Sequence, residues 1–250
     1  VSESITPWEN DLVSHDATTK EYVVINSTKG HLKEAIAAAN KDYTKIKNLK
    51  ITGEISAQDF YFMRDSMENL AALNLKEVII RGGEQRLTGG AQGVYPHNDY
   101  EIPYEALRGK KSLNLLVLPD KLTKIGIAAF ADDQNITGSL IIPEGVTEIE
   151  VGAFYDCRSM NGTLSLPSTL KYLGRGIDLW WYGGVFTYCG FTSELILPNN
   201  LECIAGNNTF AGCEGLHGEL RFPEKLTEIS DGAFNGCKSL TGSITIPQGV

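Results

Sequence analysis

Four of the five cysteines recur at one spacing, so their chemistry is the first to need an explanation. Cys157, Cys189, Cys213 and Cys237 each lie three residues after a phenylalanine. Such a set could bind a metal or form disulfides between neighbouring repeats, but no C-x-x-C pair or other metal-ligand spacing occurs. Because cysteine is among the most buried residue types, we predict reduced structural thiols. Cys203 lies outside the pattern and is predicted to be a partly exposed free thiol.

Aromatic side chains concentrate in one stretch of the chain and form the second candidate for a functional site. Trp180, Trp181 and Tyr182 are adjacent, and Tyr188 follows shortly after them. Tryptophan and tyrosine are favoured anchors at protein interfaces, and their flat rings also suit sugars. We therefore predict these four as binding residues. The alternative is that the segment around Trp180 and Trp181 folds back and fills a gap in the core.

The sequence contains no pattern for catalysis or cofactor binding. Its histidines are scattered without an H-E-x-x-H or triad pattern, and the glycine-rich run at 88–93 lacks the Lys-Ser/Thr of a phosphate loop. The net charge of -9 argues against nucleic acid and anionic membranes as partners. No stretch approaches the ~18 apolar residues of a transmembrane helix. We predict a protein that is not an enzyme and has no metal, cofactor or membrane-spanning segment.

An internal repeat positions these residues, and prolines mark it. Six prolines follow apolar-x-apolar triplets at successive spacings of 24, 24, 31, 25 and 24 residues: Pro119, Pro143, Pro167, Pro198, Pro223 and Pro247. The long spacing contains extra residues between Leu173 and Val185, in the stretch "RGIDLWWYGG". Insertions of this kind map to loops on one face of a repeat protein, often its binding face.

A unit of about 24 residues cannot bury its own apolar face, so copies must stack into a solenoid, one repeat per rung. The apolar-x-apolar triplet predicts a short strand that ends at proline, which has no N–H for the ladder. The L-x-x-I segment predicts a second strand. The A-F-x-x-C segment predicts a helical or 3₁₀ turn, with phenylalanine filling the space between rungs.

The repeat resembles that of BspA-like leucine-rich-repeat proteins, which are common on the surfaces of Bacteroidetes and related to repeats in Treponema. The motifs that carry the resemblance are "LPDKLTKIGIAAFADDQNITG", "IPEGVTEIEVGAFYDCRSMNG" and "FPEKLTEISDGAFNGCKSLTG", and they cover roughly residues 100–250. The resemblance implies a curved α+β leucine-rich-repeat solenoid, export to the cell surface with a lipid anchor as one option, and a binding or adhesive role.

Residues before the repeats have a different organisation. Residues 1–20 are predicted to be a flexible lead, and 21–100 an N-terminal cap of helix, strand, helix and strand that ends in a glycine-rich loop at 81–100. Thr28 or Ser27 is predicted to cap the first helix, and Ser56 the second. The solenoid is predicted over 101–250. Because the chain stops within a repeat, we expect the natural protein to continue and the last rung to be exposed.

The preferred function is non-enzymatic binding or adhesion at the cell surface, with a host protein or another macromolecule as the partner. The first alternative is a carbohydrate-binding protein that uses Trp180, Trp181 and Tyr182. The second is a structural spacer that holds another domain away from the membrane. A monomer is expected, with end-to-end association possible through the exposed last rung.

Overall fold

The computed structural model describes residues 21–83, 96–176 and 183–250. Within these ranges the chain forms short strands, two α-helices and one 3₁₀ helix (Tyr43–Lys45). Every pair of named strands is parallel. Parallel pairing of successive repeats is the arrangement of a solenoid whose rungs stack in register, so the predicted leucine-rich-repeat solenoid is confirmed.

The strands are β1 (Val23–Ser27), β2 (Asn48–Ile55), β3 (Ala72–Asn74), β4 (Val78–Ile80), β5 (Glu101–Ile102), β6 (Leu115–Val117), β7 (Lys124–Ile125), β8 (Leu140–Ile141), β9 (Glu148–Glu150), β10 (Leu164–Ser165), β11 (Tyr172–Arg175), β12 (Cys203–Ile204), β13 (Gly218–Glu219), β14 (Glu228–Ile229) and β15 (Leu240–Thr241). One sheet has the order β1-β2-β3-β6, with β4 also paired to β2. A six-stranded sheet has the order β14-β12-β11-β9-β7-β5. Two-stranded sheets join β8 to β10 and β13 to β15.

The N-terminal region contains both α-helices, α1 (Leu32–Ala38) and α2 (Ala57–Ser66). The predicted order of helix, strand, helix and strand is present, but β1 precedes it and was not predicted. Ser56 caps α2 as predicted, in a capping box with Asp59. The predicted apolar face of α2 and its C-terminal flank is fully buried at Phe60, Met63 and Met67.

The prediction that Thr28 or Ser27 caps α1 is wrong. The residue at the N-cap is His31, and its side chain makes no capping hydrogen bond. Instead, the buried carboxylate of Asp59 accepts hydrogen bonds from the backbone N–H groups of Gly30 (2.8 Å) and Leu32 (2.9 Å). The same carboxylate accepts from the N–H of Ser56 (2.8 Å). One side chain therefore binds backbone N–H groups at the starts of both helices.

The core of the solenoid is a set of equivalent side chains stacked from rung to rung. In the six-stranded sheet the apolar residues lie in register, and they are Ile102, Ile125, Ile149, Leu173, Ile204 and Ile229. The phenylalanines form a second column, with ring centroids of successive members 5.2–5.7 Å apart: Phe130, Phe154, Phe186, Phe210 and Phe234. At the last rung Ile244 and Ile246 are exposed, as predicted.

The A-F-x-x-C segments are separate tight turns closed by i→i+3 hydrogen bonds, as in Cys189 N to Phe186 O (3.0 Å), so the predicted helical or 3₁₀ turn is present but does not extend into a helix. Left-handed residues such as Ala128 (φ 51°) and Asp132 (φ 63°) interrupt any helix. Their backbone N–H groups donate to the following rung, as in Ala128 N to Val151 O (3.1 Å). In these segments the N–H groups of one rung donate to carbonyls of the next rung. The equivalent carbonyls of the first rung therefore face the N-terminal region.

Helix α2 supplies the donors that these carbonyls need. The Tyr61 hydroxyl donates to the carbonyl of Tyr104 (2.9 Å), and the Arg64 guanidinium donates to the carbonyl of Glu105 (2.8 Å). In the opposite direction, the Lys110 ammonium donates to the carbonyls of Met67 (2.7 Å) and Arg64 (3.1 Å) near the C-terminal end of α2. The region before the solenoid therefore satisfies backbone groups at its open first rung.

Candidate binding surface

The predicted thiol ladder exists, and its position in the repeat has two further members. Lys110 and Asp133 occupy the same position in the first two rungs, three residues after Leu107 and Phe130. We call this set the slot column: Lys110, Asp133, Cys157, Cys189, Cys213 and Cys237. Each cysteine thiol donates to a phenylalanine carbonyl of the preceding rung, at 3.0–3.2 Å. The Lys110 ammonium also donates to backbone carbonyls of the layer that precedes its own rung, and these carbonyls lie near the C-terminal end of α2.

The thiols of the slot column are structural. All five cysteines of the chain are free, as predicted. Burial raises the pKa of the Cys213 thiol to about 12 and that of Cys237 to about 11, and it raises the pKa of Cys189 well above its usual range. Because the thiolate is the nucleophile and the metal ligand, these groups are inert at neutral pH. In the described part of the chain, no group of three or more His, Cys, Asp or Glu side chains could hold a metal ion.

The prediction that Cys203 is partly exposed is wrong, because its side of β12 is covered. Only 1% of its surface is exposed, and its thiol lies 3.1 Å from an oxygen of Glu228. The guanidinium of Arg175 stacks on the Tyr172 ring, with Cζ 3.5 Å from the centroid, and also interacts with Cys203. Burial, followed by the hydrogen bond with Glu228, raises the Cys203 pKa to about 11.

Tyr188 differs from every other described residue at its position in the repeat. The equivalent residues just before the slot column all have a left-handed backbone, with φ between 60° and 75°: Gly109, Asp132, Asp156, Tyr188, Gly212 and Gly236. Glycine and aspartate tolerate this conformation, whereas a bulky residue is strained in it. The Tyr188 side chain nevertheless adopts it, and 49% of its surface is exposed.

The next rung leaves room for the Tyr188 ring. A Cβ atom on Gly212 would lie 2.5 Å from Tyr188 Cδ1, so only glycine fits beneath the ring. The ring of Tyr155 packs edge-on at 6.2 Å between centroids, and the Arg158 guanidinium lies 5.7 Å from the Tyr188 centroid. We call the adjoining shallow depression the Tyr188 trough. Its volume is about 480 Å³, and its lining includes Arg158, Tyr188, Gly190, Thr192, Gly212 and Glu214.

The other three predicted binding residues, Trp180, Trp181 and Tyr182, lie outside the described residues. The described residue that follows them, Gly183, packs on the ring of Tyr155. A Cβ atom on Gly183 would lie 2.6 Å from Cε2 of Tyr155, whose ring also contacts Tyr188. The C-terminal flank of the insertion therefore lies beside Tyr155, one ring away from Tyr188.

Comparison with known proteins agrees with the repeat architecture. Residues 100–177 and 182–250 match the BspA type Leucine rich repeat region in six copies. The chain belongs to this family. Proteins of the BspA type are leucine-rich-repeat proteins of the surface type and are generally not enzymes. None of the helices among the described residues is long and apolar enough to cross a membrane. None of the curated proteins searched matches the chain.

Three solved structures are similar to this BspA-type chain. A leucine-rich-repeat protein of T. pallidum is 30% identical with a TM-score of 0.49, and the match covers 59% of this chain and 64% of that one. A leucine-rich-repeat protein from Bacteroides ovatus is 15% identical with a TM-score of 0.39, over 91% and 76% of the two chains. A leucine-rich cell surface protein from Faecalibacterium prausnitzii is 14% identical with a TM-score of 0.32, over 90% and 85%.

Proposed function

We propose that this BspA-type chain is a non-enzymatic cell-surface protein that binds a macromolecule, such as a host protein, through the rung that carries the insertion. The observation that supports the proposal is Tyr188. A left-handed backbone costs a non-glycine residue about 1–2 kcal/mol, and such strain is typical of functional positions. The Tyr188 side chain is half exposed beside Arg158. The next rung has a glycine, Gly212, beneath the Tyr188 ring.

The contact residues that we propose are Tyr188 together with Trp180, Trp181 and Tyr182. Aromatic side chains give large contact areas at low entropic cost, and arginine is the other residue type enriched at binding hot spots. Arg158 is thus well placed to join Tyr188 in the contact. The mechanism is attachment through one aromatic anchor, supported by weaker contacts along equivalent rungs.

A carbohydrate ligand is the second candidate, because the Tyr188 trough combines an exposed ring with side chains that both donate and accept hydrogen bonds. Its lining also contains Gly190 and Gly212, which add no side chains to the depression. A sugar ring could pack its C–H groups on Tyr188 while its hydroxyls bind Arg158 and Glu214.

Tyr188→Gly is expected to abolish binding while leaving the fold as stable or more stable. Glycine removes the backbone strain, and the lost cation–π contact at this exposed site is worth only about 0.5–1 kcal/mol. We therefore expect the free energy of unfolding to rise by up to about 1 kcal/mol. Binding is measured on a glycan array and on immobilised extracellular-matrix proteins, and stability by urea unfolding.

Two further variants test the proposal. Trp180→Ala with Trp181→Ala should weaken the same binding. Asn208→Gly is the matched control, because Asn208 is also left-handed (φ 65°) but does not line the trough, so binding should be unchanged. A ligand that binds equally well to Tyr188→Gly and to the double tryptophan variant would contradict the proposal, and the glycan array separates the two ligand classes.

A further inference from the structure

The outer edge of β1 is the longest strand edge without a partner in the described part of the chain. β1 pairs with β2 on one side, and no backbone hydrogen bond among the described residues joins its other side. Every other described strand at the end of a sheet has two or three residues, whereas β1 has five. Such an edge presents a row of N–H and C=O groups that can extend the sheet into a second chain.

β1 also lacks the features by which proteins usually protect a strand edge, which are charged side chains, prolines and bulges. Its sequence is VVINS, with no charged residue and no proline, and its register with β2 runs without a bulge. The strands at the two ends of the six-stranded sheet differ, because β5 and β14 are two residues long and each contains a glutamate. The edge of β1 is therefore open to pairing.

The side chains of β1 alternate between the core and the solvent. Ile25 and Ser27 are buried, whereas Val24 and Asn26 are exposed on the opposite face. Val24 is 59% exposed, and among the described residues it is the only large apolar side chain before Tyr188 with this degree of exposure. A strand that pairs with this edge must have the same alternation, with one apolar face toward the core and one face in water.

A second copy of β1 has this alternation, and its flanking charges are complementary to those of the first. An antiparallel pair with its two-fold axis at Ile25 places each exposed Val24 opposite Asn26 of the second copy. Just beyond the strands, the same register places Glu21 opposite Lys29 at both ends of the pair, and both side chains are exposed. A parallel pair in register would instead bring like charges together, which is destabilising.

We propose that the outer edge of β1 pairs with the β1 edge of a second copy of this chain, antiparallel and centred on Ile25. The pair forms about four to six backbone hydrogen bonds and joins the two β1-β2-β3-β6 sheets into one. The interface is small, so the dimer is weak and forms at about micromolar concentrations. The dimer carries two Tyr188 troughs, but its formation is independent of the function proposed above.

The test is analytical ultracentrifugation of the whole chain over a range of concentrations, where the wild type should show a monomer–dimer equilibrium. Glu21→Lys and, separately, Lys29→Glu should each raise the dissociation constant about tenfold, because either change puts like charges together at both ends of the pair. The double variant should dimerise about as well as the wild type, since its two charges have only exchanged places. The Lys29 ammonium also donates to the Gly82 carbonyl (2.8 Å), and this contact is lost in both Lys29→Glu and the double variant. Recovery in the double variant can therefore come only from the pairing of the charges.

Val24→Lys should abolish the dimer, because a lysine on an edge strand opposes pairing. Ile196→Lys and Ile246→Lys are the matched controls, since both isoleucines are exposed (68% and 54%) but lie on other rungs. The dimer should survive in both controls and in Tyr188→Gly, which separates this interface from the trough.

Three results would overturn the proposed β1 dimer. The first is a wild type that stays monomeric, or that dimerises only after residues 1–20 are removed, which would assign the edge to that segment. The second is a dimer that is lost in Ile246→Lys but kept in Val24→Lys, which would place the contact at the last rung. The third is a double charge variant that dimerises no better than its two single variants.

Discussion

Phe186→Ala is expected to lower the free energy of unfolding by about 3–5 kcal/mol, the usual cost of truncating a buried phenylalanine. Phe186 is fully buried near the middle of the phenylalanine column. Its ring stacks on Phe154 at 5.7 Å and on Phe210 at 5.5 Å, and it meets Phe191 edge-on at 6.1 Å. Alanine would leave a void with rigid backbone on both sides, because neighbouring rungs are tied together by hydrogen bonds.

The same substitution should also weaken the cooperativity of unfolding. In a stacked repeat protein, stability is the sum of contributions from rungs and from the interfaces between neighbouring rungs. Removing Phe186 damages two of these interfaces at once, so the rungs on either side should unfold at different urea concentrations. Urea titration followed by circular dichroism would show a broadened or two-step transition.

Phe234→Ala is the control for the phenylalanine column. Phe234 stacks on one member of the column, Phe210, and is only partly buried. We therefore expect Phe234→Ala to lower the free energy of unfolding by less than half as much as Phe186→Ala, and to keep a single unfolding transition. Equal losses for the two variants would mean that the column does not couple the rungs, and that each phenylalanine acts within its own repeat.

Most of the solenoid could be predicted because its pattern is local and repeated. Each rung shows the same apolar positions, so Ile149 or Phe154 can be assigned to the core from spacing. Features that depend on contacts between distant residues could not be predicted in this way. Asp59 caps a helix that begins 27 residues earlier in the chain, and nothing close to α1 in sequence reveals it. Strand β1 depends likewise on its pairing with β2.

The candidate site was predictable only in part, for a similar reason. Composition pointed to Tyr188 as an aromatic residue beside an insertion. Its strained backbone and the space left by Gly212 become visible only when rungs are placed beside each other. Cys203 was misassigned because its burial comes from Arg175 and Glu228 on the adjacent strands. Lys110 was missed because the first rung has Leu107 where the others have phenylalanine, which hides the register of the slot column.

Asp133 is the one acidic member of the slot column, and its carboxyl group is poorly suited to that position. Its side chain is fully buried, with Oδ1 accepting from the Lys110 N–H at 2.5 Å and Oδ2 without a partner among the described residues. Burial raises the pKa of Asp133 well above its usual range, and the charge of Asp132 adds to this while Lys110 opposes it. In the unfolded chain an aspartate titrates near about 3.9.

Asp133→Cys is therefore expected to stabilise the protein increasingly as pH rises above about 4. A raised folded-state pKa means that the folded chain holds a proton that the unfolded chain has lost. The stability of the wild type consequently falls, by up to about 1.4 kcal/mol per pH unit, between the unfolded and folded pKa values. Cysteine has no such penalty over this range, and its thiol can donate to Leu107 as the other members of the slot column donate to phenylalanine carbonyls.

The measurement is urea unfolding of the wild type and of Asp133→Cys at pH 4, 5, 6 and 7. Asp133→Asn is the matched variant, and its free energy of unfolding should lose the same pH dependence. The gain in stability should be smaller than for Asp133→Cys, because the amide has the shape of the carboxyl but is still a buried polar group. The Lys110 ammonium donates to Met67 and Arg64, and its charge lowers the pKa of Asp133, so Lys110 acts against the expected effect and cannot produce it. A stability difference that is independent of pH would contradict the raised folded-state pKa of Asp133, and a Cys variant less stable than the wild type at pH 7 would contradict the expected gain.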